Sequence, residues 1–132
     1  MKILRNVVRV FCLLPFVTGA MDLAIGASSL SKIDSPLGAE VLSDPVLDSQ
    51  VRFFGAIWLG YGLSLWLAAG EMDKRPGGFR LLMAILFLSG IGRAVSALSV
   101  GLPSAPLVGG MALELVGVPL LLAWHYIGLK RA

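Results

Sequence analysis

Four long apolar runs alternate with short polar segments along this chain. The runs approach the length needed to cross a bilayer as a helix, and they do not follow the period of an amphipathic helix. The pattern predicts spans over residues 7–27, 50–69, 79–100 and 107–129. The predicted fold class is all-α, a transmembrane four-helix bundle that forms a single membrane domain over residues 1–132.

The first run also fits a second interpretation. A basic head precedes it, and the small residues Thr18, Gly19 and Ala20 are typical of a secretory signal with its cleavage site. The apolar run continues past Ala20 as far as Ala27, which favours an uncleaved span. We therefore expect the first helix to be retained, and the mass of the intact purified protein tests this against cleavage.

The polar segments predict the orientation of the chain in the membrane. Basic residues gather at the amino end, in the turn after the second run and in the tail. They are Lys2, Arg5, Arg9, Lys74, Arg75, Arg80, Lys130 and Arg131. The loop over residues 28–49 is acidic, with Asp34, Glu40, Asp44 and Asp48, and the turn over residues 101–106 is uncharged. The positive-inside rule then predicts cytoplasmic termini.

Composition supports a membrane protein and excludes other classes. The chain is 57% hydrophobic and 14% charged, with a mean hydropathy of +0.86, whereas soluble domains carry about a quarter charged residues. The net charge of +3 does not indicate nucleic-acid binding, because the basic residues lie at the ends of the apolar runs. Cys12 is the only cysteine, which excludes an internal disulfide and argues against a thiol–disulfide enzyme.

Apart from the basic residues near the predicted cytoplasmic ends, each predicted span has one charged residue within it or at its rim: Asp22, Arg52, Arg93 and Glu114. At a rise of about 1.5 Å per residue, all four fall in the outer half of the membrane. A charge at the bilayer centre costs about 2.5–3.5 kcal/mol, so such residues usually face the bundle interior and pair. We expect a polar cluster there, which either binds a ligand or only fixes the register of the helices.

The expected pairs within this cluster follow from the connections. Arg93 and Glu114 lie on helices joined by a short turn, so they are expected to form a direct pair. Asp22 and Arg52 are the expected second pair, with an Arg52 side chain that extends outwards as the alternative. A stripe of small residues, Ala56, Gly60 and Ser64, follows Arg52 at every fourth position and predicts the packing face of the second span.

Other residues inside the runs have structural explanations as well as functional ones. Pro15 and Pro119 deprive the carbonyls of Phe11 and Leu115 of a helical partner, so a bend is expected at each. Trp58 and Tyr61 either wall a pocket or fill the core. The sequence offers His125 no metal co-ligands, and its place near the end of the fourth run favours an interfacial position.

Three segments resemble the DUF4345 family of small bacterial membrane proteins of uncharacterised function. They are DSQVRFFGAIWLGYGLSLW over residues 48–66, GIGR over residues 90–93 and ELVGVP over residues 114–119. The resemblance implies a four-span bundle in a bacterial plasma membrane, and it supports Arg52, Arg93 and Glu114 as members of the polar cluster. These proteins are also distantly similar to the DoxX-like four-helix group.

No phosphate-binding glycine loop, nucleophile elbow or zinc motif is present, so we predict no catalytic residue, cofactor or metal ligand, while unfamiliar enzyme chemistry stays open. The favoured function is an accessory or small-ligand- or lipid-binding membrane protein. The alternatives are a redox-associated subunit that handles a quinone-like apolar ligand and, third, a small oligomeric transporter. The expected partners are membrane lipids, with an apolar small molecule, a homo-oligomer or a larger membrane complex left open.

Overall fold

A computed structural model describes residues 1–33 and 37–130 of the chain. Within these ranges the protein is helical without any strand, and four segments are long and apolar enough to cross a membrane: Lys2–Ile33, Pro45–Glu71, Pro76–Ser99 and Ala105–Lys130. The all-α fold class is therefore confirmed, together with four helical segments that are long and apolar enough to cross a membrane. Asp34 and Arg131, which entered the prediction of orientation, lie outside the described residues, and the orientation stays a prediction.

The first span consists of three helical pieces. Helix α1 covers Lys2–Phe11, helix α2 covers Leu13–Ile25, and a 3₁₀ segment follows over Gly26–Ile33. The helix is interrupted at Cys12, next to the carbonyl of Phe11, which Pro15 leaves without a helical N–H donor.

The remaining helices begin at residues suited to helix starts. After the short helix α3 (Ala39–Leu42), helix α4 covers Pro45–Glu71, and the Asp44 carboxylate accepts a hydrogen bond of 2.8 Å from the N–H of Leu47. Helix α5 covers Pro76–Ser99 and starts on a proline, which needs no helical N–H partner there. The fourth span is made of α6 (Ala105–Ala112), a π-helical turn (Leu113–Gly117) and α7 (Val118–Lys130).

Most of the apolar surface of the spans is exposed. No more than 28% of the apolar window of any span is buried, and Leu98 and Val100 are 89% and 87% exposed. Burying apolar surface is worth about 25 cal/mol per Å², so this much apolar surface in water would be very unfavourable. The exposed side chains instead suit a protein whose surroundings are lipid.

Contacts within the chain define two compact units. The first contains Met1–Val7 and Leu67–Ala132, and the second contains Val8–Trp66. In the first unit the fully buried side chains include Leu4, Met72, Phe79, Met83 and His125. Whether the chain forms one domain stays a prediction.

In the second unit, α2 and α4 approach each other through glycines. A Cβ atom added to Gly19 would lie 2.7 Å from the backbone nitrogen of Leu59, and one added to Gly55 would lie 2.6 Å from the Cβ atom of Asp22. The face predicted from Ala56, Gly60 and Ser64 is therefore wrong, because these residues are exposed and a Cβ atom on Gly60 would meet nothing within 4 Å. The face of α4 that contacts α2 is displaced by one residue from the predicted face, because glycine at position 55 permits the closest backbone approach.

Candidate functional site

Arg93 and Glu114 form the ion pair that was expected between the third and fourth spans. The Arg93 Nε atom lies 3.0 Å from Oε2 and 3.3 Å from Oε1 of Glu114, and the geometry of a hydrogen bond is met only toward Oε1. Arg93 lies six residues before the end of α5, about 9 Å along the helix axis. The pair therefore lies inside two of the segments that are long and apolar enough to cross a membrane.

A π-helical turn carries Glu114 to this position. The N–H of Val118 bonds to the carbonyl of Leu113, five residues back, and the turn packs against α5. Proline clashes with the carbonyl four residues before it in an α-helix, so a wider turn just before Pro119 relieves that clash. The bend expected at Leu115 and Pro119 therefore takes the form of a π-turn, a feature frequent at functional sites.

Gly90 makes the close approach of α5 and the π-turn possible. A Cβ atom at this position would lie 2.7 Å from the Cβ atom of Glu114 and 3.0 Å from side-chain atoms of Leu115. Gly92, two residues further along the same helix, has open space at the corresponding point. Gly90 therefore has a packing role next to the ion pair, and Gly92 has none in this structure.

The two partners of the pair differ strongly in exposure. The Glu114 side chain is 8% exposed and its Oε2 atom accepts no hydrogen bond, while the Arg93 side chain is 41% exposed. Among the described residues, neither terminal Nη group of Arg93 has a hydrogen-bond partner. The site thus consists of a buried carboxylate that holds the guanidinium through its Nε atom. The Nη groups are accessible and have no partner among the described residues.

Arg52 takes part in a different network in the second unit. Its Nε atom donates to Oδ2 of Asp48 at 2.8 Å, and its Nη1 group donates to the carbonyls of Leu23 and Ala24 at 2.8 and 3.0 Å. Asp48 also accepts a 3.0 Å hydrogen bond from the N–H of Ala27. Arg52 therefore caps the carboxyl end of α2, where carbonyls lack helical partners.

The expected pair of Asp22 and Arg52 is wrong in this structure. The spacing of Asp48 and Arg52, four residues apart on one helix, places them side by side. Gly26 permits this arrangement, since its φ of +58° suits glycine and a Cβ atom there would overlap the Asp48 carboxylate. Asp22 is half-buried, and its carboxylate forms no hydrogen bond or ion pair among the described residues.

Trp58 and Tyr61 stack on each other in the second unit. Their ring centroids are 5.3 Å apart with an interplanar angle of 11°, and the Trp58 indole N–H donates to the Thr18 hydroxyl at 2.9 Å. Both side chains are half-buried. This arrangement ties α4 to α2, and the role of the two rings as the wall of a pocket stays a prediction.

His125 lies in the interior of the first unit, and its interfacial depth in the membrane stays a prediction. Its side chain is fully buried, its Nε2 atom lies 3.1 Å from the carbonyl of Met72, and its ring lies 4.8 Å from that of Phe79. Because a carbonyl only accepts, Nε2 carries the proton, and Nδ1 is buried without a partner among the described residues. The sequence carried an indication of this burial, because His125 shares a helical face with Val118 and Glu114, which are both buried.

A second arginine cap lies at the other end of α4, in the first unit. Arg5 donates from Nε to the carbonyl of Ala69 at 3.1 Å and from Nη2 to Asp73 at 2.7 Å. The sequence explained Arg5 only as a basic residue near the start of the chain. Its role as a cap depends on a contact between residues 64 positions apart, which periodicity does not reveal.

Among the described residues, no group of histidine, cysteine and carboxylate side chains could hold a metal ion. Four apolar helices and ion-paired charges inside them define a multi-pass helical membrane protein. The sequence profile of one family, described as a domain of unknown function (DUF4345), matches residues 3–125, and the chain belongs to that family. Neither the curated proteins nor the solved structures contain a match.

Proposed function

We propose that this chain is a membrane protein that binds a neutral, hydroxyl-bearing lipid at Arg93 and Glu114. One observation carries the proposal: the terminal Nη groups of Arg93 have no partner among the described residues, although its Nε atom is held by a buried carboxylate. Unpaired donors inside a membrane are costly, so an acceptor from the surroundings is strongly favoured at this position.

The charge of the pair defines the class of ligand. Glu114 already balances the charge of Arg93, so an anionic headgroup would add an uncompensated negative charge next to a carboxylate. A hydroxyl group accepts from the guanidinium and presents a hydrogen to the carboxylate, so it suits both partners. The half-buried apolar side chains Leu82 and Leu86, on the face of α5 that also carries Arg93, offer a surface for an acyl chain.

Photocrosslinking in membranes tests the proposal. A diacylglycerol with a diazirine in one acyl chain should label peptides that contain Arg93 or the π-turn, and unlabelled diacylglycerol should compete. Arg93→Gln should abolish this labelling. The matched control is Arg80→Gln, which removes the same charge from an exposed position on α5 and should leave the labelling intact.

The outcomes also distinguish the alternatives. Labelling spread evenly over the four spans and unaffected by Arg93→Gln would contradict a lipid site. Competition by a quinone but not by diacylglycerol would favour the redox-associated function, since quinone carbonyls also accept hydrogen bonds from a guanidinium. The transporter alternative has no observation in its favour here.

A further inference from the structure

A cavity of about 310 Å³ lies at the turn between α4 and α5, in the first unit. It is lined by Arg5, Gly70, Glu71, Asp73, Lys74 and Arg75. No step of the proposed lipid site uses these residues, which lie at the opposite end of α5 from Arg93. The proposed lipid site therefore does not account for this cavity.

The wall of this cavity is fixed in position. Arg5 is held by Asp73 at 2.7 Å and by the carbonyl of Ala69 at 3.1 Å, with its side chain 26% exposed. The backbone of the turn is closed by hydrogen bonds of 2.9 and 2.8 Å from the N–H groups of Lys74 and Arg75 to the carbonyl of Glu71. The buried His125 adds a contact to the carbonyl of Met72 in the same turn. A ligand would meet a preformed wall, which lowers the entropic cost of binding.

Two cations at the cavity remain available for a ligand. The Lys74 ammonium group has no partner among the described residues. Arg75 lies 3.7 Å from Glu71, and these side chains are 83% and 63% exposed. An exposed pair at this distance contributes little to stability, so a stronger acceptor readily replaces the carboxylate.

The surroundings of the cavity add to its positive charge. Contacts of Met1 with Gly128 and of His125 with Met72 bring the ends of α1 and α7 to the same turn. This end of the unit holds six basic residues against two acidic ones, namely Lys2, Arg5, Lys74, Arg75, Arg80 and Lys130 against Glu71 and Asp73. Such an excess next to apolar spans attracts anionic headgroups.

We infer that this cavity binds a phosphate group through Lys74 and Arg75, with Arg5 as the rigid wall behind them. Arginine and lysine together suit phosphate, because the guanidinium offers paired donors and the ammonium a compact charge. The phosphate comes either from an anionic phospholipid or from a free phosphate ion, and the two sources share the same chemistry at the cavity.

Calorimetry on the full-length protein in a nonionic detergent tests this inference, with short-chain phosphatidylglycerol and inorganic phosphate as separate probes. Lys74→Gln with Arg75→Gln should weaken binding of the effective probe at least about thirtyfold, because two charge-assisted contacts to the phosphate are lost. The matched control, Arg80→Gln with Lys130→Gln, removes two charges from the same end without touching the cavity, and it should change binding less than about threefold, because the attraction of more distant surface charges is screened by salt.

Each outcome has a definite meaning. Binding of phosphatidylglycerol alone identifies a lipid headgroup as the source, and equal binding of inorganic phosphate identifies the free ion. Equal loss in both double variants overturns the inference, because the attraction is then diffuse, and so does the absence of binding by either probe. If the cavity variant is unstable in a thermal melt, Lys74→Arg with Arg75→Lys provides the second test and should retain binding. Arg93→Gln should have no effect, which separates this inference from the proposed lipid site.

Discussion

Glu114 is buried, and Arg93 is its single charged partner among the described residues. The stability of a fold that buries this carboxylate therefore depends on Arg93. We predict that Arg93→Leu and Glu114→Leu each lower the stability of the protein in detergent, by up to about 3–5 kcal/mol, because the remaining charge is stranded. The double variant should recover much of this loss, since an apolar pair leaves no stranded charge. Thermal melts of the four proteins measure the coupling.

The same set of variants separates function from stability at these two residues. A double variant that folds but no longer crosslinks to diacylglycerol identifies a ligand site. Single variants as stable as the parent would show that the residues do not depend on each other, and the pair would then not explain the burial of Glu114.

Gly90 gives a second prediction for a single residue. Gly90→Ala should lower the free energy of unfolding by about 1–3 kcal/mol, because the new methyl group meets the Cβ atom of Glu114, which is fixed to the backbone of the π-turn. Gly92→Ala on the same helix is the matched control and should not be destabilising, since the methyl group enters open space. Equal melting temperatures for the two variants would contradict the close approach at Gly90.

At the level of the helix, two arginines cap helix ends that are distant in sequence. We predict that Arg52→Gln lowers the stability of the protein by about 2 kcal/mol, because it leaves Asp48 and the carbonyls of Leu23 and Ala24 without a charged donor. Partial exposure of the pair keeps the effect at the lower end of the range for charged hydrogen bonds. Melting in detergent measures the change.

The control for this prediction is Arg80→Gln, which removes an exposed charge and breaks no contact found among the described residues. Hydrogen exchange adds a local test. Protection should fall selectively in the carboxyl end of α2 and the following 3₁₀ segment when Arg52 is replaced. A uniform loss of protection along α2 would argue against a cap at its carboxyl end.

The two prolines inside the spans show which features of a helix the sequence can predict. Pro15 and Pro119 both indicated a break, and a break is present near each. The kind of break was not predictable, because it depends on neighbours: α1 ends at Phe11, whereas the fourth span widens into a π-turn that packs against α5. Local sequence reveals the missing N–H group, and packing decides how the chain responds to it.

For the whole molecule, orientation in the membrane is the open prediction. We expect Ser104→Cys to react with an impermeant thiol reagent in intact cells and Lys74→Cys to react only after permeabilisation, because basic residues favour the cytoplasmic side. A Cys12→Ala background removes the native thiol, which is fully buried. The reverse labelling pattern would invert the topology, and labelling of both sites would show that the chain inserts in two orientations.

The sequence by itself determined the class of protein and the positions of the spans. Apolar runs of this length have few stable arrangements in lipid, because every backbone polar group must be satisfied within a helix. The same reasoning found the Arg93 and Glu114 pair, since a short turn forces the two helices to be antiparallel neighbours. Features that follow from the length of the apolar runs and from the short turn between the third and fourth runs were therefore predictable.

Tertiary structure alone decided how the other charged and polar side chains are used. Asp48 instead of Asp22 pairs with Arg52, although the spacing of four residues carried that signal. Arg5 caps the end of a helix 64 residues away, and His125 is buried against Met72 and Phe79. Such partners depend on which faces of distant helices meet, and in the four spans periodicity is weak because apolar side chains face lipid as well as the core.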